Sequence, residues 1–207
     1  MPDTDRRTRG DHDGGVGRAP EDRADQAVRV AARWLAASRR LDMQGLAHEL
    51  GVSRVTLFRA IGSREDLLGR TLWWQTDRTL RTCLARCEAQ RRPGELLSIG
   101  TGRLFNALVA RSTALRRLLD EEPAVTIRVL TDPSGPVQPR VVAFVEGLLR
   151  RDIAEFGLEL TIDPSSLAFA IVRLGESFVY ADVLANRPVD VATADRLQQA
   201  LILGSRR

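Results

Sequence analysis

Two arginines five residues apart, Arg54 and Arg59, follow directly on Gly51-Val52-Ser53 and bracket Val55 and Thr56. A guanidinium carries a rigid donor fork that matches phosphate oxygens and the guanine edge, and a neighbouring valine suits a thymine methyl. Such a set reaches base edges only if it projects from the start of a short, exposed helix. The stretch Met43 to Ile61, MQGLAHELGVSRVTLFRAI, has the pattern for one. Leu46, Ala47 and Leu50 form the inner face of a first helix, with the small Ala47 where the helices cross. Gly51 supplies a left-handed turn position that a Cβ would penalise. Val52 plugs the turn, Ser53 caps the next helix, and Leu57 with Ile61 anchor it inward. Arg54, Val55, Thr56 and Arg59 are left outward near its N-terminal end, where a helix enters a major groove. An ordinary helical hairpin fits the same apolar pattern. The local charge and a completing helix over residues 21–40 favour the groove-reading alternative. Between Ser38 and Arg64 stand five Arg and two acids.

Other groups offer less. Cys83 and Cys87 lie one helical turn apart, a spacing open to a metal, a redox pair or two free thiols. His12 and His48 are the only histidines, so no four-ligand zinc set is formed and free thiols are expected. His48-Glu49 has Val52 where a zincin needs its second histidine, and Gly100-Thr101-Gly102 lacks the third glycine and preceding strand of a dinucleotide loop. With no nucleophile elbow or phosphate loop either, no enzyme is expected. No cofactor is implied. A small apolar ligand is another matter. Trp73, Trp74, Phe105, Phe144, Phe178 and Tyr180 are aromatics that either line a cavity or simply fill the core. Asn106, Arg128 and Glu176 are polar residues inside apolar helical segments. A carboxyl such as Glu176 buried there needs a partner; Arg173 and Arg128 are the candidates, and a surface ion pair is the alternative.

The elements that must position these groups are all helical. The chain has 207 residues, all 31 basic residues are arginine, and the formal net charge is +4. A hydrophobic share of 43% excludes a fully disordered chain and is enough for one or two packed domains. Two cysteines cannot make a disulfide framework, the first residues contain no apolar leader core, and no apolar run is long enough to span a membrane. A soluble, cytoplasmic protein is expected. Residues 1–20 read as a flexible polar tail. Apolar spacing then predicts helices from Glu21 onward, from Arg64 to Arg91 behind a Ser63–Asp66 capping box, from Glu95 to Ala110, Thr113 to Glu121 and Pro123 to Leu130. Further helices are predicted over Arg140 to Phe156, from Asp163-Pro164 to Ala185, and over Val191 to Leu203. The stretch from Thr131 to Pro139 is expected as a loop. The helices around residues 140–156 and 165–185 are apolar over more than one face, more than a monomer covers, which points to a homodimer.

The motif residues Val52-Ser53-Arg54-Val55-Thr56-Leu57-Phe58-Arg59-Ala60-Ile61-Gly62-Ser63-Arg64-Glu65-Asp66-Leu67 resemble the recognition segment of the TetR family of bacterial transcriptional regulators. The family usually has tyrosine at Phe58, often histidine at Ala60 and lysine at Arg64. The phenol-to-phosphate bond is therefore absent here. The resemblance implies an all-α chain: residues 21–68 a helix-turn-helix DNA-binding domain, residues 69–207 a helical ligand-binding and dimerisation domain. It implies a double-stranded operator as partner. Arg54, Arg59 and Val55 are expected at base edges, and Gln44, Thr56 and Arg64 at phosphates, with Ser53 and Phe58 completing the DNA-facing set. Val55-Thr56-Leu57, Gly62-Ser63-Arg64 and Arg173-Leu174-Gly175-Glu176-Ser177-Phe178-Val179-Tyr180-Ala181-Asp182 are also similar to a subgroup typified by a lactone-released repressor of quorum-signal degradation. A repressor released by a small apolar or lactone-like effector is the reading this supports. An activator, a ligand-independent regulator, or a small-molecule-binding helical protein without DNA function are the alternatives. Charge is divided accordingly: residues 1–92 hold eighteen Arg and thirteen acids, residues 93–207 thirteen Arg and fourteen acids.

Overall fold

Ala24, Ala27, Val28, Ala31, Trp34 and Leu35 recur at three- and four-residue spacing and are all buried on one side of α1 (Pro20–Ala36). In the computed structural model, which describes residues 20–90 and 94–206, this stripe packs on the helices over residues 64–90 and 113–121. The expected tail at residues 1–20 lies, Pro20 apart, outside the described residues.

Most of the later helices start where a side chain takes free N–H groups. Asp42 opens α2 (Met43–Glu49) by accepting from Gln44 N at 3.3 Å and Gly45 N at 2.6 Å. Gly51, at φ +66°, turns the chain, and Ser53 Oγ accepts from Thr56 N at 3.0 Å to open α3 (Arg54–Ile61). The expected capping box opens α4 (Arg64–Gln90): Ser63 N donates to Asp66 Oδ2 at 2.8 Å, and Asp66 N returns a bond to Ser63 Oγ at 3.1 Å. After α5 (Leu97–Ala110), α6 (Thr113–Glu121) is capped by Ser112, and α7 (Pro123–Thr131) begins on its proline. α8 (Gln138–Phe156) is closed by Gly157 at φ +64°. Asp163 caps α9 (Pro164–Val179), and Asp190 caps α11 (Val191–Gly204). Among the described residues the only β pairing is a single bridge between Leu160 and Arg206. No described helix is long and apolar enough to cross a membrane.

Beyond shifts of helix ends such as Leu97 for Glu95 at the start of α5, two departures from expectation stand out. α8 starts at Gln138, inside the stretch expected as a loop, with Pro139 in its first turn, where a missing N–H costs nothing. The single helix expected to run to Ala185 breaks at Tyr180, and a separate α10 (Ala181–Ala185) follows. Arg116 of α6 sits at the break, donating to Val179 O at 3.4 Å and pairing with Asp182.

α5 has no side-chain cap of its own: Leu96 stands at the cap position. Its first free N–H groups are taken instead from another helix. Leu97 N and Ser98 N donate to the two oxygens of Asp152, at 2.7 and 2.9 Å, and Asp152 is fully buried on α8. The largest apolar cluster runs without a gap from α1, α2 and α3 through Leu67, Leu68 and Leu72 to Leu118, Leu119, Val129, Leu130, Val179 and Tyr180. Helices α1–α3 (the head) and the later helices (the body) therefore share one core. Separate clusters knit α8, α9 and α11 around Leu149, Leu167 and Ile202, and α4, α5 and α8 around Cys87, Leu97 and Leu148.

Candidate functional site

Because Leu57 and Ile61 are buried, the other side of α3 faces outward as a consequence of helical period. Arg54, Val55, Phe58 and Arg59 are exposed there, Val55 and Phe58 at about 60%. Two large apolar side chains left open on an eight-residue helix are conspicuous, since elsewhere in the head such residues are covered. Ser53 and Thr56 are tied together, Oγ to Oγ1 at 2.8 Å, which fixes the first turn of α3. Gln44 is exposed at the start of α2.

The five arginines between Ser38 and Arg64 fall into two groups. Arg39 stacks on the Trp34 ring and donates to Glu49 at 3.3 Å, in a group that also joins Trp34 Nε1 to Glu49 at 2.9 Å. Arg40 and Arg64 pair with Glu122. Arg54 and Arg59 form no ion pair among the described residues. Of these five, the guanidiniums left for a partner are the two on α3. Arg64, expected at a phosphate, is engaged elsewhere: its Nη1 and Nη2 reach Glu122 at 2.8 and 2.6 Å, and its Nε donates to Leu41 O at 2.9 Å. Bidentate pairing uses the whole guanidinium fork, so Arg64 links the head to the α6–α7 corner. The Arg64 bond holds the Glu122 carboxyl below its ordinary range.

The body encloses a cavity of about 390 Å³ between α4, α5, α8, α9 and α11. Of the nine residues expected to line a ligand site, Phe105, Asn106, Phe144, Glu176 and Tyr180 are on its wall. Trp73, Trp74, Arg128 and Phe178 are not. Trp73 and Trp74 lie on the other side of α4, with Arg140 over the first ring and Arg78 over the second. The residues α4 sends into the cavity are Leu72, Gln75, Thr76, Thr79 and Leu80. Arg128 is exposed and pairs with Glu65 at 2.6 Å. An aromatic in an apolar helix has several walls to face, and composition alone does not choose between them.

Glu176 does find the partner expected of it. Arg173 Nη1 reaches its Oε2 at 2.7 Å, while burial pushes the carboxyl above its ordinary range. Gln138 adjoins the pair in either amide orientation. One sets its nitrogen 3.3 Å from Glu176 Oε1; the other has it donate to Thr131 O at 3.3 Å and accept from Arg173 at 2.9 Å. A second polar group also stands on the cavity wall. Asn106 Nδ2 donates to Asp195 Oδ1 at 2.7 Å and to Gln198 Oε1 at 2.8 Å, and Gln198 Nε2 donates to Ile171 O at 3.0 Å. Gln198 lies across Gly175, where a Cβ would meet its Nε2 at 2.7 Å. Asp195 is pushed up by burial. Gln198 and Asp195 were not expected in the site. The available signal was Gln198 standing between Ala194 and Ile202 on the apolar stripe of α11.

Cys83 and Cys87 are both buried, and burial raises the Cys83 thiol. No group of three or more potential metal ligands forms among the described residues.

Residues 94–203 match the family model described as "Tetracyclin repressor-like, C-terminal domain". Among solved structures, the chain is similar to the transcriptional repressor QsdR of R. erythropolis, from the TetR family. The two share 31% identity over 89% of this chain and 96% of that one, with a TM-score of 0.79. A putative TetR-family regulator from Mesorhizobium loti MAFF303099 is 14% identical over 90% and 96% of the two chains, at TM-score 0.52. The multidrug binding protein EbrR, solved with imidazole, is 20% identical over 89% and 95%, at TM-score 0.51. These last two are likenesses of fold. No curated protein matches the chain.

Proposed function

The chain belongs to the TetR family of transcriptional regulators, and from that premise we propose that it is an effector-released repressor. It is a regulator and not an enzyme. The observation that carries the operator reading is the outer face of α3, where Arg54 and Arg59 are exposed without ion-pair partners among the described residues, beside exposed Val55 and Phe58. In this reading Arg54 and Arg59 address base edges, and Val55 and Phe58 address thymine methyls or sugars. Gln44, with the helix N-terminus at Ser53 and Thr56, meets phosphates.

Two such helices reading a near-palindromic site require a dimer. α8 and α9 supply its surface: Phe169, Ile153 and Phe156 are large apolar residues left exposed on them. The cavity holds a small, largely apolar effector, lactone-like by the resemblance of the stretch from Arg173 to Asp182 to the lactone-released subgroup. Effector binding favours a dimer whose heads no longer match the half-site spacing, through differential affinity for two states. The core shared by head and body and the Arg64–Glu122 link give that change a route.

A mobility shift with the DNA upstream of the protein's own coding sequence tests this. Salt-dependent binding that candidate lactones reverse is the expected result. Binding with the same affinity to unrelated duplexes would sink the operator reading, and enhanced expression of the adjacent genes would make the protein an activator.

A further inference from the structure

The walls of the cavity are not equally closed. Of its lining residues only Arg103, Leu108 and Gln199 are exposed, and they lie on α5 and α11. The mouth therefore runs along the seam between these two helices.

α11 is fastened differently at its two ends. Beyond Gln198 it is anchored by Ile202, which belongs to the apolar cluster of Leu149 and Leu167. The chain after α8 adds to that anchor: Thr161 N and Oγ1 both donate to Ser205 O, at 2.7 and 3.0 Å, and Leu160 bridges Arg206. From Val191 to Gln198 the one buried apolar residue is Ala194, a single methyl, while Leu197 is exposed. What holds this half is polar. Asn106 Nδ2 of α5 donates to both Asp195 Oδ1 and Gln198 Oε1, and Gln198 Nε2 donates to Ile171 O of α9. Gly175 leaves the room for that crossing, since a Cβ there would meet Gln198 Nε2 at 2.7 Å. Apolar contact is lost outright when a helix lifts, whereas these groups can trade one another for water, which already reaches the half-buried Asp195. A helix with one apolar end and one polar end opens from the polar end.

We propose that the N-terminal half of α11 is the gate of the cavity, swinging about its C-terminal half, with Asn106 and Gln198 as the latch. Ligand enters and leaves between α5 and α11, at rates set by the breaking of the Asn106 bonds. This rests on the reading of the cavity as the effector site and concerns the route into it, whatever compound takes that route.

Two measurements on the full-length protein test it. Hydrogen exchange read by mass spectrometry follows the gate with no ligand present. Asn106→Leu should speed exchange of the amides from Asp195 to Gln199 by at least about threefold and leave those from Leu201 to Leu203 unchanged. Gly175→Ala, whose methyl displaces only the far end of Gln198, should do the same, and it stands in if Asn106→Leu does not fold. Stopped-flow mixing with N-phenyl-1-naphthylamine, an uncharged probe that brightens out of water, follows passage. Its association and dissociation rate constants should both rise by at least about threefold in Asn106→Leu. A rise in dissociation alone would make Asn106 a ligand contact and overturn the latch. Exchange that is unchanged in both variants, or that quickens equally along α11, would overturn the gate. A probe that does not bind would remove the effector reading of the cavity, and the exchange pattern would still decide whether α11 opens.

Discussion

Arg64, the first residue of α4, and Glu122, the cap position before α7, form a two-pronged ion pair 58 residues apart in sequence. Arg64 also holds Leu41 O, and Glu122 also receives Arg40 at 3.5 Å, so three segments meet at one carboxylate. Both side chains are mostly buried, which makes this pair worth more than a surface bridge. Arg64→Ala should lower stability by about 1–3 kcal/mol in urea denaturation. The slope of log operator affinity against log salt should stay unchanged. A slope flattened by about one unit would return Arg64 to the phosphates.

The same pair sets an acid limit. The folded pKa of Glu122 is depressed below the ordinary 4.5, first by its bond to Arg64. Its contribution is present at pH values above 4.5 and is lost as the pH falls through the lower folded value. The stability difference between the protein and Glu122→Gln should be constant near neutrality and shrink in acid. A difference that grows below that value would mean the carboxyl is not held ionised by Arg64.

On α3, Arg54→Ala and Arg59→Ala should each reduce discrimination between operator and mutated sites by about 1–3 kcal/mol. Competition mobility shifts measure this. Uniform weakening across all sequences would assign the arginine to phosphate.

Phe169 is about half exposed in the middle of α9, and a charge there would be buried in a dimer. Phe169→Asp should shift the protein to monomer in sedimentation equilibrium while its helical circular dichroism is retained. A dimer of unchanged affinity would place the interface on another face.

Asp152 is fully buried and takes the first two N–H groups of α5. Asp152→Ala orphans both donors beneath the cavity wall and should cost about 2–4 kcal/mol in denaturation. Asp152→Asn keeps one acceptor and should fall between. A loss under about 0.5 kcal/mol for Asp152→Ala would mean water replaces the carboxylate.

Short-range physics was readable along the chain. The Ser53 cap, the Gly51 turn and the Ser63–Asp66 box involve residues three or four apart, and the period of Leu57 and Ile61 settled which side of α3 is open. The helical class and the exposed face of α3 follow from spacing, because a helix turns residues at fixed angles whatever it packs against. Partner choice across the chain did not follow. Whether an arginine is free or paired depends on a carboxylate brought up by another helix, as with Arg64 and Glu122 against Arg54 and Arg59, which form no ion pair among the described residues. Whether an aromatic fills a core or walls a cavity depends on which neighbours surround it, so Phe144 faces the cavity and Trp73 faces Arg140. Asp152 serves α5 from α8, and Gln198 crosses Gly175 from α11. Such contacts are set by the packing angles of whole helices, which no local spacing encodes.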